Sequence, residues 1–280
     1  MIPYMRRVLS DRFMPHREGI RTFWWRRMGL VTDRPNFGDE LTSGIVHGLA
    51  GVTCTWAHPK RSEFIGAGSI LEMVQGAGAP SGLKVWGSGF MASGTAGGRN
   101  WDHPDFDFYA VRGELTLSRI RPVRDVALGD PGLLASRVYP RSPVVTGKVG
   151  LVYHYVDEKD EVVRALAQQG RVALIDPSRE PRDVIADITE CEFIFSTSLH
   201  GLIVADSFGI PNAWIALSGR IGGGRYKFED YYSAFGGTAT QYDADLVWDP
   251  EAVEDLKRGY CAVPNLKEIQ SRLIRAIPYL

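Results

Sequence analysis

Cysteine is scarce in this chain, and what there is has no pairing pattern. Cys54, Cys191 and Cys261 are the only three in 280 residues. They form no Cys-x-x-Cys and no Cys/His spacing, so neither a disulfide framework nor a zinc site is expected. Cys54 and Cys191 fall in β-like runs and read as small buried hydrophobes. A reducing, cytoplasmic setting follows. No apolar run is long enough to span a bilayer, and the N-terminus lacks a signal-peptide core. Net charge is −1, without the basic excess of a nucleic-acid binder. There is no internal repeat, no low-complexity tract and no carboxylate cluster, so no metal is expected. What remains is an ordinary globular composition, 44% hydrophobic and 23% charged. Its length suits one large domain or two modest ones.

The charge is uneven along the chain. Residues 1–28 hold Arg6, Arg7, Arg12, Arg17, Arg21, Arg26 and Arg27 against Asp11 and Glu18, with Phe13, Phe23, Trp24 and Trp25 among them. Basic plus aromatic suits a segment resting on an anionic membrane surface, here the inner face. The alternative is a first strand with solvated flanks.

The first half alternates short β-like runs with glycine turns. Residues 22–25 read as a strand. Asn36-Phe37-Gly38-Asp39 is a turn, with Asp39 able to cap a helix to about residue 50. Phe64-Ile65 leads into Gly66-Ala67-Gly68-Ser69, Lys84-Val85-Trp86 into Gly87-Ser88-Gly89, residues 108–111 into Arg112-Gly113-Glu114, and residues 126–128 into Gly129-Asp130-Pro131-Gly132. Strand followed by glycine, repeated, suggests a parallel sheet with its loops at the carboxyl edge. Residues 137–148 read as a linker. Strands at 149–153, 171–175, 192–196 and 212–216 then alternate with helices at 158–169, 181–190 and 199–208. The expected fold is therefore α/β, with two Rossmann-like doubly wound domains facing a cleft. Residues 1–140 form the first, 149–264 the second, and a helix at about 265–277 within residues 265–280 packs back on the first.

The most informative stretch is residues 193–212. The apolar run Phe193–Phe195 ends in Ser196, Thr197 and Ser198, and a helix-period run follows until Gly209 and Pro211 stop it. Strand, tight turn, helix start: fresh helix amides attract phosphate or carboxylate, and His200 adds a group that moves protons near neutral pH. One of the hydroxyl residues serves as N-cap or anion donor, or both. His154, closing strand 149–153, would line the same cleft. The two glycine turns read as tight packing or as backbone approaching a ligand. Asn36 and Asp39 account for a turn and cap, and a carboxylate there is also a candidate base. Arg112 is either an anion partner or a surface charge. Residues 218–232, with Arg220, Arg225 and Lys227 among glycines, read as a flexible basic loop able to close over an anion.

These motifs, with Ser198-Leu199-His200-Gly201 and Lys227-Phe228-x-Asp230-Tyr231, resemble in order and type the polysaccharide pyruvyl transferase family, from about residue 30 to 235. The resemblance implies a fold similar to the GT-B glycosyltransferases. It implies transfer of the enolpyruvyl unit of phosphoenolpyruvate onto a sugar of a bacterial polysaccharide or its lipid-linked precursor, with release of phosphate and no separate cofactor. Leu199 and His200 match the family's phosphoenolpyruvate site. Many members carry arginine where this chain has Ser198 and in the loop matching His154. The assignments that follow are His200 as general acid and Asp39 as base, with Ser198, Leu199, His154, Arg112, Asn36, Gly68, Ser69, Arg225 and Lys227 binding substrate. Two other readings use the same turn: a nucleotide-sugar glycosyltransferase, and a glycan-binding subunit without catalysis.

Overall fold

The computed structural model describes residues 19–26, 34–94, 105–120, 122, 124–218 and 221–280. Its strands are β1 (Ile20–Thr22), β2 (Cys54–Trp56), β3 (Phe64–Ile65), β4 (Lys84–Ser88), β5 (Asp107–Val111), β6 (Ala127–Leu128), β7 (Val149–Val152), β8 (Ala173–Ile175), β9 (Phe193–Ser196), β10 (Asn212–Ile215) and β11 (Gln241–Tyr242). The helices are α1 (Phe37–Ala50), α2 (Leu71–Gly76), α3 (Glu114–Leu117), α4 (Ala135–Val138), α5 (Glu161–Gln169), α6 (Pro181–Thr189), α7 (Leu199–Ser207), α8 (Tyr226–Ser233), α9 (Pro250–Gly259) and α10 (Leu266–Arg275).

Two sheets result, with orders β2-β1-β3-β4-β5-β6 and β11-β10-β9-β7-β8. Every pairing recorded in them is parallel. Read from its second strand, each follows the doubly wound order 2-1-3-4-5, and the first sheet adds a sixth strand. In such a sheet the chain reverses direction between its first and third strands, and the crevice beyond their carboxyl ends is where ligands bind. Here those switch points are β1/β3 and β7/β9. The inner strands β3, β4, β7, β9 and β10 are short, mostly apolar and buried, as parallel strands between helices must be.

One apolar cluster joins the sheets. It runs from Phe64, Trp86 and Ala110 in the first, through Phe37 and Leu41 of α1 and Leu133 and Leu134, to Leu202 and Ile203 of α7 and Val152 and Ile194 in the second. All nine residues of α7 are buried, which explains why its apolar residues are not confined to one stripe. It packs on the Pro131–Leu134 turn, which packs on α1. The C-terminal helix α10 lies against β6 and the same turn. Trp86 Nε1 donates to Leu273 O (2.9 Å) and Gln270 Nε2 to Leu133 O (2.8 Å).

Three local expectations change. The first strand is Ile20–Thr22, not 22–25; Phe23 N still donates to Phe64 O (3.1 Å), and Phe23 and Trp24 are buried in the core beyond the strand's end. Arg21 pairs with Glu63 and Arg26 with Glu40, so this described stretch is a strand with neutralised flanks. Arg6, Arg7, Arg12, Arg17 and Arg27 lie outside the described residues, as does Arg220. The second half of the expected basic loop is helix α8. Phe228 and Tyr231, three apart and fully buried, carry the helical period that the neighbouring glycines obscured. Helix α9 went unread although Asp249 caps it, accepting from Glu251 N and Ala252 N, with proline at its first position. No helix among the described residues is long and apolar enough to cross a membrane.

Candidate active site

A cavity of about 250 Å³ lies where the two switch points meet. The first sheet sends Trp25 from beyond β1 and Ser69 from beyond β3. The second sends His154 and Tyr155 from beyond β7, and Ser198, Leu199 and His200 from beyond β9. Asn36 and Asp39 enter from the start of α1 and Lys227 from α8. Eight of the eleven residues assigned from sequence thus share one cavity: Asn36, Asp39, Ser69, His154, Ser198, Leu199, His200 and Lys227.

The turn after β9 explains how. Ser196 Oγ accepts from Ser198 N and lies against Val152 O and Ser198 O, so it is spent on backbone. Thr197 Oγ1 donates to Asp157 Oδ2 (2.8 Å) and accepts from His154 N (2.7 Å). That clamps the β7 loop to the β9 turn. Ser198 takes the N-cap position, but its side chain makes no cap bond and its hydroxyl is left for the cavity. Asn36 likewise sits at the N-cap of α1 without a side-chain cap bond. Two helix starts, each with amides lacking intrahelical partners, therefore border the same space.

His200 lies at the centre, 8% exposed. Nδ1 is 3.9 Å from Asp39 Oδ1, and Nε2 is 3.7 Å from Asp130 Oδ2. Both of the latter atoms, His200 Nε2 and Asp130 Oδ2, are buried without a hydrogen-bond partner among the described residues. Asp130 is held by its other oxygen, which accepts from Gly132 N (2.8 Å). The sequence reading quoted Asp130 in its motif but gave it no role. Its signal is the Asp-Pro-Gly pattern after a strand, which fixes one carboxylate oxygen on backbone and leaves the other to point elsewhere.

The titratable groups are shifted. Burial pushes the Asp39 carboxyl up to about 7; His200 and Lys227 oppose the rise, and Asp130 and Glu40 add to it. Burial brings Lys227 down to about 8, with Arg112 also lowering it and Asp39 and Asp157 raising it. Burial, Lys227 and His200 hold His154 down to about 3. His154 is therefore neutral, with Nδ1 accepting from Val156 N, and supplies no charge for an anion. Among the described residues Lys227 is the one cation lining the cavity.

Two assigned arginines are elsewhere. Arg112 is fully buried: Nε donates to Asp230 Oδ2 (2.8 Å), Nη2 to Phe90 O (2.6 Å) and Nη1 to Ser69 Oγ. Asp230 also accepts from Thr116 N and Thr116 Oγ1 (2.7 Å each). This pair pins α8, and with it Lys227, to the first sheet, so Arg112 positions rather than binds. Arg225 is half exposed, with Nε on Glu229 and Nη2 donating to Ala239 O. It turns away from the cavity. Gly68 does not line the cavity but has φ +114, and a Cβ there would meet Asp39 Oδ1 at 2.7 Å. The glycine lets the turn press against that carboxyl.

The fold and site together define an α/β protein of two parallel sheets with a polar, titratable cavity at their facing switch points. Residues 85–219 match the family model described as polysaccharide pyruvyl transferase. The chain is 26% identical over 232 residues to the succinoglycan biosynthesis protein ExoV of Rhizobium meliloti (strain 1021), covering 78% of this chain and 66% of that one. It is 32% identical over 143 residues to the uncharacterized protein L143 of Acanthamoeba polyphaga mimivirus, covering 48% of this chain and 50% of that one. The chain thus spans about half to two thirds of the length of these relatives. No solved structure matches it. Over just under half of its length the chain is thus similar to the polysaccharide pyruvyl transferases.

Proposed function

We propose that the chain transfers the enolpyruvyl group of phosphoenolpyruvate to two hydroxyls of one sugar in a polysaccharide or its lipid-linked precursor, forming a cyclic ketal and releasing phosphate. The observation that carries this reading is His200, which lines the cavity between the sheets with a carboxylate facing each ring nitrogen. A GT-B-like arrangement of the two lobes and a peripheral place at the membrane belong to the same proposal.

Phosphoenolpyruvate brings a carboxylate and a phosphate. Lys227, the Ser198 hydroxyl, the Asn36 amide and the amides opening α1 and α7 are the donors at hand. The carboxylate of Asp130 opposite Nε2 favours a proton on that nitrogen and steadies the charged ring. Nδ1 faces, at 3.9 Å, the carboxyl of Asp39, which burial raises to about 7 and which can therefore carry a proton near neutral pH. That proton goes to the methylene carbon, making a methyl group and an oxocarbenium-like centre at the adjacent carbon. A sugar hydroxyl adds there and its proton returns to the Asp39–His200 couple. The carbon–oxygen bond to phosphate breaks, phosphate leaves with its electron pair, and a second hydroxyl closes the ketal, losing its proton to the couple or to phosphate. One couple thus serves as acid and then as base.

The test is phosphate release from phosphoenolpyruvate with a panel of terminal hexosides. In deuterium oxide one solvent deuteron should appear in the product methyl. Absence of phosphate release with every acceptor, or turnover of a nucleotide sugar instead, would overturn the reading.

A further inference from the structure

A second cavity, about 610 Å³, lies on the other side of the first turns of α1. Its wall includes Trp24, Arg26, Glu40, Trp56, Tyr139 and Arg182. These follow the wall of the first cavity along the chain: Trp24 precedes Trp25, and Glu40 follows Asp39. Pro177 lines the first cavity and Pro181 the second. The two spaces are bounded by neighbouring residues of the same segments.

The chemistry of the second wall is specific. Trp56 and Tyr139, both half-buried, supply flat apolar faces with a polar tip, and the buried Trp24 backs the wall. The indole N–H of Trp24, in a residue 5% exposed, is buried with no acceptor among the described residues. Trp56 is held in place by donating its own N–H to Trp24 O (3.0 Å). Arg26 and Glu40 form a fixed ion pair (Nη2 to Oε2, 2.8 Å), and the charged residues of the wall balance, Arg26 and Arg182 against Glu40 and Glu180. A wall without net charge does not attract a polyanion such as a phosphate ester. Aromatic faces with planar, hydrogen-bonding carboxylate and guanidinium groups suit a neutral ring with one apolar face and a rim of hydroxyls. A pyranose is such a ring.

We propose that this cavity holds a sugar of the acceptor glycan other than the one receiving the ketal, so that the protein grips at least two separated units of a chain. The proposal rests on the ketal-transfer reading for the role of that glycan, though not for its binding. The probe is a set of α- and β-linked gluco-, galacto- and manno-oligosaccharides of one to six units, followed by saturation-transfer NMR and calorimetry. For at least one linkage, oligosaccharides of three or more units should bind about tenfold or more tighter than the matching monosaccharide. Arg182→Ala, an exposed change that spares folding, and Tyr139→Ala should each remove that length advantage and leave phosphoenolpyruvate affinity unchanged. An advantage that survives both substitutions, or a panel in which nothing binds, overturns the subsite. If length-dependent binding is lost in the variants but phosphoenolpyruvate never yields phosphate, the subsite stands and the ketal-transfer reading falls.

Discussion

A Cβ placed on Gly38 would sit 2.1 Å from Nδ1 of His200 and 2.6 Å from its Cβ. The imidazole therefore rests directly on the backbone at the start of α1, and the only side chain short enough to allow it is none at all. Gly38→Ala must push α1 and α7 apart or turn the ring. The expected outcome is a stability loss of about 1–3 kcal/mol, together with a fall in turnover larger than that loss explains. Thermal melts and phosphate-release rates on the same preparation check it. Unchanged turnover would mean that the ring position does not matter.

Asp130 acts on the far nitrogen. Asp130→Asn keeps an oxygen for Gly132 N but removes the charge opposite Nε2. Turnover should fall by about tenfold or more, with the melting temperature nearly unchanged. Turnover that stays at the wild-type level would show that the 3.7 Å approach is incidental.

The Arg112–Asp230 pair predicts a stability effect instead. Both side chains are fully buried and charged, so removing one partner strands the other. Arg112→Met should destabilise by about 3–5 kcal/mol, read from denaturant unfolding. Asp230→Asn should release α8 and weaken phosphoenolpyruvate binding through Lys227. Retained affinity in a folded Asp230→Asn protein would remove the positioning role.

Asp39 predicts a pH dependence of stability. Its carboxyl is raised from 3.8 to about 7 in the folded state, so the folded state holds the proton more tightly than the unfolded one. Burying the ionised form costs nothing below pH 4, an increasing amount between pH 4 and 7, and a constant amount above. Wild type should thus lose stability relative to Asp39→Asn as pH rises through that window, by about 4 kcal/mol in all. The difference between the two proteins is what is read, because Asp206 is also raised, to about 6, and shifts both alike. A difference that does not change with pH would show that folding leaves the Asp39 carboxyl unshifted.

Much of this was legible from sequence because parallel strands announce themselves. Short apolar runs ending in glycine turns located β3, β4, β5 and β6, apolar runs alternating with helices located β7 and β9, and the strand-turn-helix at 193–207 put His200 where it is found. What stayed hidden were contacts between distant motifs. Arg112 and Asp230 are 118 residues apart, and nothing local says that their charges cancel in the interior rather than face a ligand. Asp130 looked like turn chemistry because one of its oxygens does serve a turn. Helix α8 was masked by the glycines before it, which outweighed two buried aromatics in a short span.

The most direct measurement is single-turnover phosphate release from phosphoenolpyruvate and an accepted hexoside by the His200→Ala protein. The account predicts a rate lower by about a hundredfold or more, with phosphoenolpyruvate affinity and melting temperature close to wild type. A folded His200→Ala protein that releases phosphate at the wild-type rate would contradict it.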